Sequence, residues 1–295
     1  MGGSSLPLGL TGLLISSTAS CTAEFMTVPI DVVKTRLQLS GSLHYQKGYT
    51  NVTATVRSIV KTEGLRGLFK GAAPALLRQA TYGGLRLSLY EPIKGAWKIV
   101  VQSDNDRSMV TKILSGCTAG ALSSFICNPT DVVKVRMMAD TANKYQSRRY
   151  ASTMTAFCTI WREEGLKGLY RGVGATTARA ALVAGSELSV YDQAKVLLRD
   201  HGFRENRSST HFLASMFAGL VATVVSSPAD VVKSRLMNES AGARAYTGVI
   251  HCVQTSIRTE GILSLWKGFW PNYMRLGPHA VILFVTMEQL KALFQ

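Results

Sequence analysis

Three copies of one segment set the architecture of this chain before any other property is considered. Pro29-Ile30-Asp31-Val32-Val33-Lys34-Thr35-Arg36 returns as Pro129-Thr130-Asp131-Val132-Val133-Lys134-Val135-Arg136 and as Pro228-Ala229-Asp230-Val231-Val232-Lys233-Ser234-Arg235, at intervals of 100 and 99 residues. A second element keeps the same period: Glu63-Gly64 with Phe69-Lys70-Gly71, Glu164-Gly165 with Tyr170-Arg171-Gly172, and Glu260-Gly261 with Trp266-Lys267-Gly268. A third lies 28 residues after each of those glutamates, as Tyr90-Glu91 with Lys94, Tyr191-Asp192 with Lys195, and Met287-Glu288 with Lys291. Self-similarity at a fixed period means one structural unit used three times. The units run over residues 1–103, 104–204 and 205–295 and are expected to form one integral domain.

Each unit has two long apolar stretches flanking a polar middle: Leu6–Leu39 and Ala73–Ile99, Ser108–Met138 and Gly174–Leu198, Ser208–Met237 and Asn272–Phe294. All exceed the roughly 20 residues that cross a bilayer, so six spans are expected. Between them, residues 51–62, 152–163 and 248–259 read as short amphipathic helices lying at the interface. The predicted fold is therefore an all-α membrane protein, with six transmembrane helices around a pseudo-threefold axis and three short surface helices. Composition agrees, since 46% of residues are apolar and only 17% are charged. The 33 Lys and Arg against 18 Asp and Glu leave a net charge of +15, to be concentrated where anionic lipid or anionic cargo sits. The polar connectors hold much of that charge, which places them on the side that retains positive residues.

Other function classes find no support. Nucleic-acid binders share the basic charge, but no zinc-finger, basic-zipper or aromatic RNA-binding signature is present. The five cysteines form no CxxC pair, so neither a disulfide framework nor a metal site is expected. No nucleophile or acid–base dyad points to an enzyme, and no cofactor is implied. No basic residue precedes Lys34, and the sixth position of Met1-Gly2-Gly3-Ser4-Ser5-Leu6 is not Ser or Thr, so targeting information is expected to be internal.

The repeated motifs carry the mechanism. Proline inside a helix removes a hydrogen bond, so Pro29, Pro129 and Pro228 are expected to bend the first helix of each unit. Around a threefold axis, Asp31, Asp131 and Asp230 converge with Lys34, Lys134 and Lys233. Charges inside a membrane persist only when paired or wetted, so pairing between neighbouring units would close one end of a central pore. The alternative is that each Asp pairs with the Lys of its own helix at i, i+3. Glu91, Lys94, Asp192, Lys195, Glu288 and Lys291 form an equivalent set at the other end, where snorkelling to water is the competing explanation. Two charged rings imply two gates.

Between them stand Arg78, Arg179 and Arg275, each eight residues after the basic member of the aromatic-basic-glycine element and thirteen before the acid of the far set. At about 1.5 Å per residue they lie deep in the span. A buried arginine is costly unless it serves an ion pair or anion recognition, and its planar fork suits carboxylate, phosphate or sulfate. Arg86 and Glu187 are further candidates for the cavity wall. Glu24 breaks the symmetry, because the equivalent positions are Ser124 and Thr223. It is either a proton-carrying carboxylate or a plain ion-pair partner of Arg78 or Arg275.

These motifs resemble those of the mitochondrial carrier family, over the whole chain. The resemblance implies six tilted helices, an inner mitochondrial membrane location, a monomer, and bound cardiolipin at Gly71, Gly172, Gly268 and the Tyr246-x-Gly248 element. It also implies a glutamine brace on each ion pair of the first ring, present here as Gln38 but replaced by Met138 and Met237, so one brace and a weak gate are expected. Leu77-Arg78-Gln79, Glu187 before Tyr191-Asp192, and Arg275-Leu276-Gly277-Pro278 are similar to the branch holding dicarboxylate, oxoglutarate and uncoupling proteins, whereas His279 stands where the uncoupling proteins carry Trp. The implied function is exchange of a small dianion by alternating access, with malate, succinate, oxoglutarate, phosphate or sulfate as cargo. The alternative is an uncoupling-protein-like proton leak.

Overall fold

Helices account for all regular structure in the computed structural model, which describes residues 8–42, 49, 51–101, 109–140, 150–180, 182–183, 208–239 and 245–294. One plan recurs in each unit. A long helix, α1 (Leu8–Leu39), α4 (Met109–Ala139) or α7 (Ser208–Asn238), leads to a surface helix, α2 (Val52–Glu63), α5 (Thr153–Leu169) or α8 (Val249–Glu260). The chain then returns along α3 (Ala72–Val101), α6, described over 173–180, or α9 (Phe269–Phe294). Pro29, Pro129 and Pro228 each lie inside one unbroken helix, two residues before the repeated aspartate. Helix α3 packs along α4 and α9 along α1, while α1, α4 and α7 meet at their basic ends.

No helix among the described residues is long and apolar enough to cross a membrane by itself. Length is not the obstacle, since the 32 residues of α1 reach about 48 Å at about 1.5 Å per residue. Charge interrupts the apolar run, at Asp31, Lys34 and Arg36 in α1 and at Arg78, Glu91 and Lys94 in α3. The polar groups turn inward instead: Asp31 is 3% exposed, whereas Phe25 and Met26 on the same helix are 44% and 60% exposed. The outward apolar pair recurs as Phe125-Ile126 and Val224-Val225, so the bundle presents an apolar belt at one level in all three units.

Among the described residues, the buried apolar clusters gather at the basic ends. Val28, Val32, Val33, Leu37, Tyr49 and Ile59 form the first cluster and take in Met138 from the second unit, while Val132, Val133, Tyr150 and Ile160 form the next and take in Met237 from the third. Polar ties reinforce each seam. Arg36, fully buried, donates to both oxygens of Glu63 at 2.7 and 2.9 Å and through Nε to the carbonyl of Met138 at 3.1 Å. Arg136 repeats this with Glu164 and the carbonyl of Met237, and Arg235 with Glu260 and the carbonyl of Gln38. Each carbonyl belongs to the last turn of a neighbouring helix, where no intrahelical donor remains. Lys70, Arg171 and Lys267 extend the ties to Asp140, Glu239 and Ser40. Breaking one such buried ion pair from a single side costs about 3–5 kcal/mol.

The glycine of each aromatic-basic-glycine element has a steric cause. Gly71, Gly172 and Gly268 adopt φ of 78°, 78° and 84°. A Cβ at Gly172 would stand 2.9 Å from Met237 Cγ, and one at Gly268 would stand 3.0 Å from Gln38 Cγ and 3.3 Å from the carbonyl of Lys34. Positive φ and seam contact therefore both demand glycine. Replacing Gly172 by Ala is expected to cost about 1–3 kcal/mol in thermal unfolding. Gly174→Ala, whose Cβ meets only Val249 Cγ2 at 3.7 Å, should by comparison be neutral or slightly stabilising.

Candidate functional site

The repeated aspartate and lysine share one helix face, yet they do not pair within a helix. Lys134 donates to Asp31 at 2.9 Å, Lys233 to Asp131 at 2.8 Å and Lys34 to Asp230 at 2.8 Å, so every ion pair crosses a seam between units. The other oxygen of each aspartate takes an arginine from the returning helix of the preceding unit in the cycle. Arg78 holds Asp131, Arg179 holds Asp230, and Arg275 holds Asp31 at 2.7 Å. Each carboxylate is thus satisfied on both sides by cations from two other helices, which is what allows three buried aspartates to remain charged near one axis.

A cavity of about 170 Å³ lies at this convergence, lined by the three aspartates, Lys34, Lys134, Lys233, Arg78, Arg179 and Arg275, with Thr35, Gln38, Val135, Met138 and Ser234 beside them. Six cations face three carboxylates there, so the wall carries an excess of positive charge. Arg78 also lies 5.0 Å from the ring centre of Tyr82, a cation–π contact that fixes its guanidinium.

Three residues make the ring unequal. Glu24, 2% exposed, accepts from Lys134 at 2.7 Å and from Arg275 at 2.8 Å, so its place is an ion-pair partner of Arg275, with Lys134 as a second partner the sequence did not suggest. Asn272 accepts from Lys34 at 2.7 Å and donates to Asp230 at 3.3 Å. Gln38 departs from the expected brace. Its amide oxygen accepts from Ser234 Oγ at 2.7 Å, because Ser234 rather than the Lys34–Asp230 pair faces it across the seam. Close by, Thr27 Oγ1 and His279 Nδ1 stand 3.5 Å apart.

The far set is visible only in part. Glu91, Glu288 and Lys291 are exposed, in contrast to the buried aspartates of the first ring, and Tyr90 and Lys94 are half-buried on α3. Glu187, Tyr191, Asp192 and Lys195 lie outside the described residues, as does the side chain of Arg86. The glycines named for lipid occupy the motif end: Gly71, Gly172 and Gly268 open the returning helices by accepting from Ala75, Thr176 and Asn272, and Gly248 precedes α8.

Two groups of contacts were not foreseen from sequence. The Arg36–Glu63, Arg136–Glu164 and Arg235–Glu260 pairs join residues of two motifs that were each recognised, but their separations of 27, 28 and 25 residues have no helical meaning. Their signal is that both members recur in every unit. Asn272 had a fainter one: an amide three residues before Arg275, where the other units carry Ala75 and Thr176.

Comparison with known proteins places this geometry among relatives. Residues 9–99, 105–202 and 204–295 each match the family described as mitochondrial carrier protein. The chain is 42% identical to mitochondrial uncoupling protein 1 of Arabidopsis thaliana over 285 residues, covering 94% of this chain and 90% of that one. It is 40% identical to kidney mitochondrial carrier protein 1 of Xenopus laevis, covering 93% and 94%, and 38% identical to a mitochondrial substrate carrier family protein of Dictyostelium discoideum, covering 91% and 90%.

Two outcomes follow from the charges. Burial pushes the Glu63 carboxyl up, but hydrogen bonds and charge from Arg36 and Lys70 outweigh it and hold the group below the usual carboxylate range; Arg235 and Lys267 do the same at Glu260. A carboxyl depressed in the folded state contributes stability above its ordinary value of about 4.3 and loses it as pH falls through the folded value. Melting temperature should therefore drop on acidification below about pH 4.5, and Glu63→Gln with Glu260→Gln should flatten that limb. Exchanging the Asp131–Lys233 pair by Asp131→Lys with Lys233→Asp is expected to recover only part of the melting-temperature loss of either single change, because Arg78 then faces a lysine. Full recovery would mean that Arg78 contributes nothing to holding Asp131.

Proposed function

The chain belongs to the mitochondrial carrier protein family, a multi-pass transporter of the mitochondrial inner membrane, and we propose that it exchanges small dianions by alternating access. The observation that carries this reading is the disposition of Arg78, Arg179 and Arg275, one from each unit, at a central cavity where six cations face three carboxylates. A guanidinium fork that already holds an aspartate is matched in geometry to a cargo carboxylate, phosphate or sulfate. The small volume favours a compact cargo, since clefts for drug-sized ligands run to about 300–1,000 Å³.

The steps follow from competition for the arginines. A dianion entering from the far end takes Arg78, Arg179 and Arg275 from Asp131, Asp230 and Asp31. Each aspartate is then held by its lysine alone, and the ring opens toward the motif side. Binding energy released at the arginines offsets the cost of parting the ion pairs, so the ring opens when cargo is present. Glu91, Lys94, Asp192, Lys195, Glu288 and Lys291, with Tyr90 and Tyr191, close the far end in the opposite state. Arg86 and Glu187 complete the cargo site, and cardiolipin docks at Gly71, Gly172, Gly248 and Gly268 of a monomer.

Glu24 favours a second reading. It is a buried carboxylate on Lys134 and Arg275 that only the first unit possesses, and one relative is named an uncoupling protein. Protonation of Glu24 would leave Arg275 held by Asp31 alone and couple proton movement to the same cavity.

Reconstitution into cardiolipin-containing liposomes separates the two. Labelled malate, phosphate and sulfate are offered while a proton-sensitive dye reports leak. Saturable exchange that Arg179→Ala lowers about 10- to 100-fold in kcat/KM supports the carrier, since a charged hydrogen bond contributes about 1.5–3 kcal/mol. Proton flux without anion exchange, abolished by Glu24→Gln, supports the leak.

A further inference from the structure

The three ion pairs of the ring are chemically identical but not identically supported. Lys134 is shared by Asp31 and Glu24, at 2.9 and 2.7 Å. Lys233 meets Asp131 without a further neutral or acidic partner among its described contacts. Lys34 and Asp230 are bridged, because the side-chain oxygen of Asn272 accepts from the ammonium at 2.7 Å and its NH2 donates to the same carboxylate oxygen that takes Lys34, at 3.3 Å. The charges dictate that orientation of the amide, with oxygen toward the cation and NH2 toward the carboxylate. A primary amide is suited to satisfy both members of an ion pair at once, since it carries an acceptor and two donors.

We infer that Asn272 is the positioning residue that braces the Lys34–Asp230 pair, in the place where Gln38 was expected to act. Gln38 is committed to Ser234. Asn272 stands on α9, three residues before Arg275, so the helix that presents a proposed cargo arginine also locks the pair between the first and third units. The symmetry of the chain supplies an internal comparison. At the equivalent position of the first unit stands Ala75, packed in the apolar cluster and unable to bridge. In the second unit stands Thr176, whose hydroxyl is turned back to the carbonyl of Gly172 at 3.2 Å. One seam of three therefore carries an amide brace, which has to release before that seam parts when the ring opens. The gating role rests on the transport reading given above, but the brace itself is a property of the folded protein.

The test is thermal unfolding of purified protein in detergent with cardiolipin, which needs no cargo and stands whether or not the dianion reading survives. Asn272→Ala is expected to lower the melting temperature by about 2–4 °C. In a background where the pair is removed by Lys34→Met with Asp230→Leu, the same substitution should cost less than about 1 °C or raise the temperature, because the amide then has nothing to bridge. An equal loss in both backgrounds, or no loss in either, overturns the inference. Should the apolar background fail to fold, Thr176→Asn decides: grafting an amide opposite Asp131–Lys233 is expected to raise the melting temperature by about 2 °C, and an unchanged or lowered value overturns the inference.

Discussion

A carboxylate taken out of water must have both oxygens satisfied, and the architecture of this protein is organised around meeting that requirement three times. Asp31, Asp131 and Asp230 each receive a lysine from one direction and an arginine from another, and neither cation comes from the aspartate's own helix. Because the partners are borrowed, no unit can complete its own charge chemistry. The Arg36, Arg136 and Arg235 forks add a second layer of the same logic, each binding a glutamate within its unit and a helix-end carbonyl outside it. Packing follows the charges: Met138 and Met237 fill the cluster of the unit before them.

Much of this was legible in the sequence. The threefold period located the aspartates, lysines and arginines, and helical geometry left the choice between pairing within a helix and pairing across a seam. What sequence could not decide was which oxygen of which aspartate each cation would reach, because that depends on the rotation of helices a hundred residues apart. The Arg36–Glu63 pair was hidden because its separation of 27 residues crosses from one helix to the next and follows no helical period, despite both residues being marked as recurrent. Long stretches marked the spans and the repeated motifs marked the charges within them. The two fit together because the bundle needs only an outward apolar face and accepts charge on the inner one.

Departures from symmetry carry the individuality of the chain. Glu24 adds a carboxylate beside Lys134 and Arg275, and Asn272 adds an amide beside Lys34 and Asp230, while the Asp131–Lys233 pair receives neither. Gln38, the residue a family pattern would mark as brace, is occupied by Ser234. Three seams that look alike in sequence therefore differ in strength, and the ring need not open evenly.

The direction of these contacts has one more consequence. Lys70 reaches Asp140, Arg171 reaches Glu239, and Lys267 reaches Ser40, so the pattern steps forward by one unit and then wraps from the third to the first. The wrap-around seam has no peptide linking its two sides, yet it is built from the same groups as the seams that do. Chain connectivity is thus incidental to assembly at the motif end. A circularly permuted chain, in which the third unit came first, would present every donor and acceptor to the same neighbour.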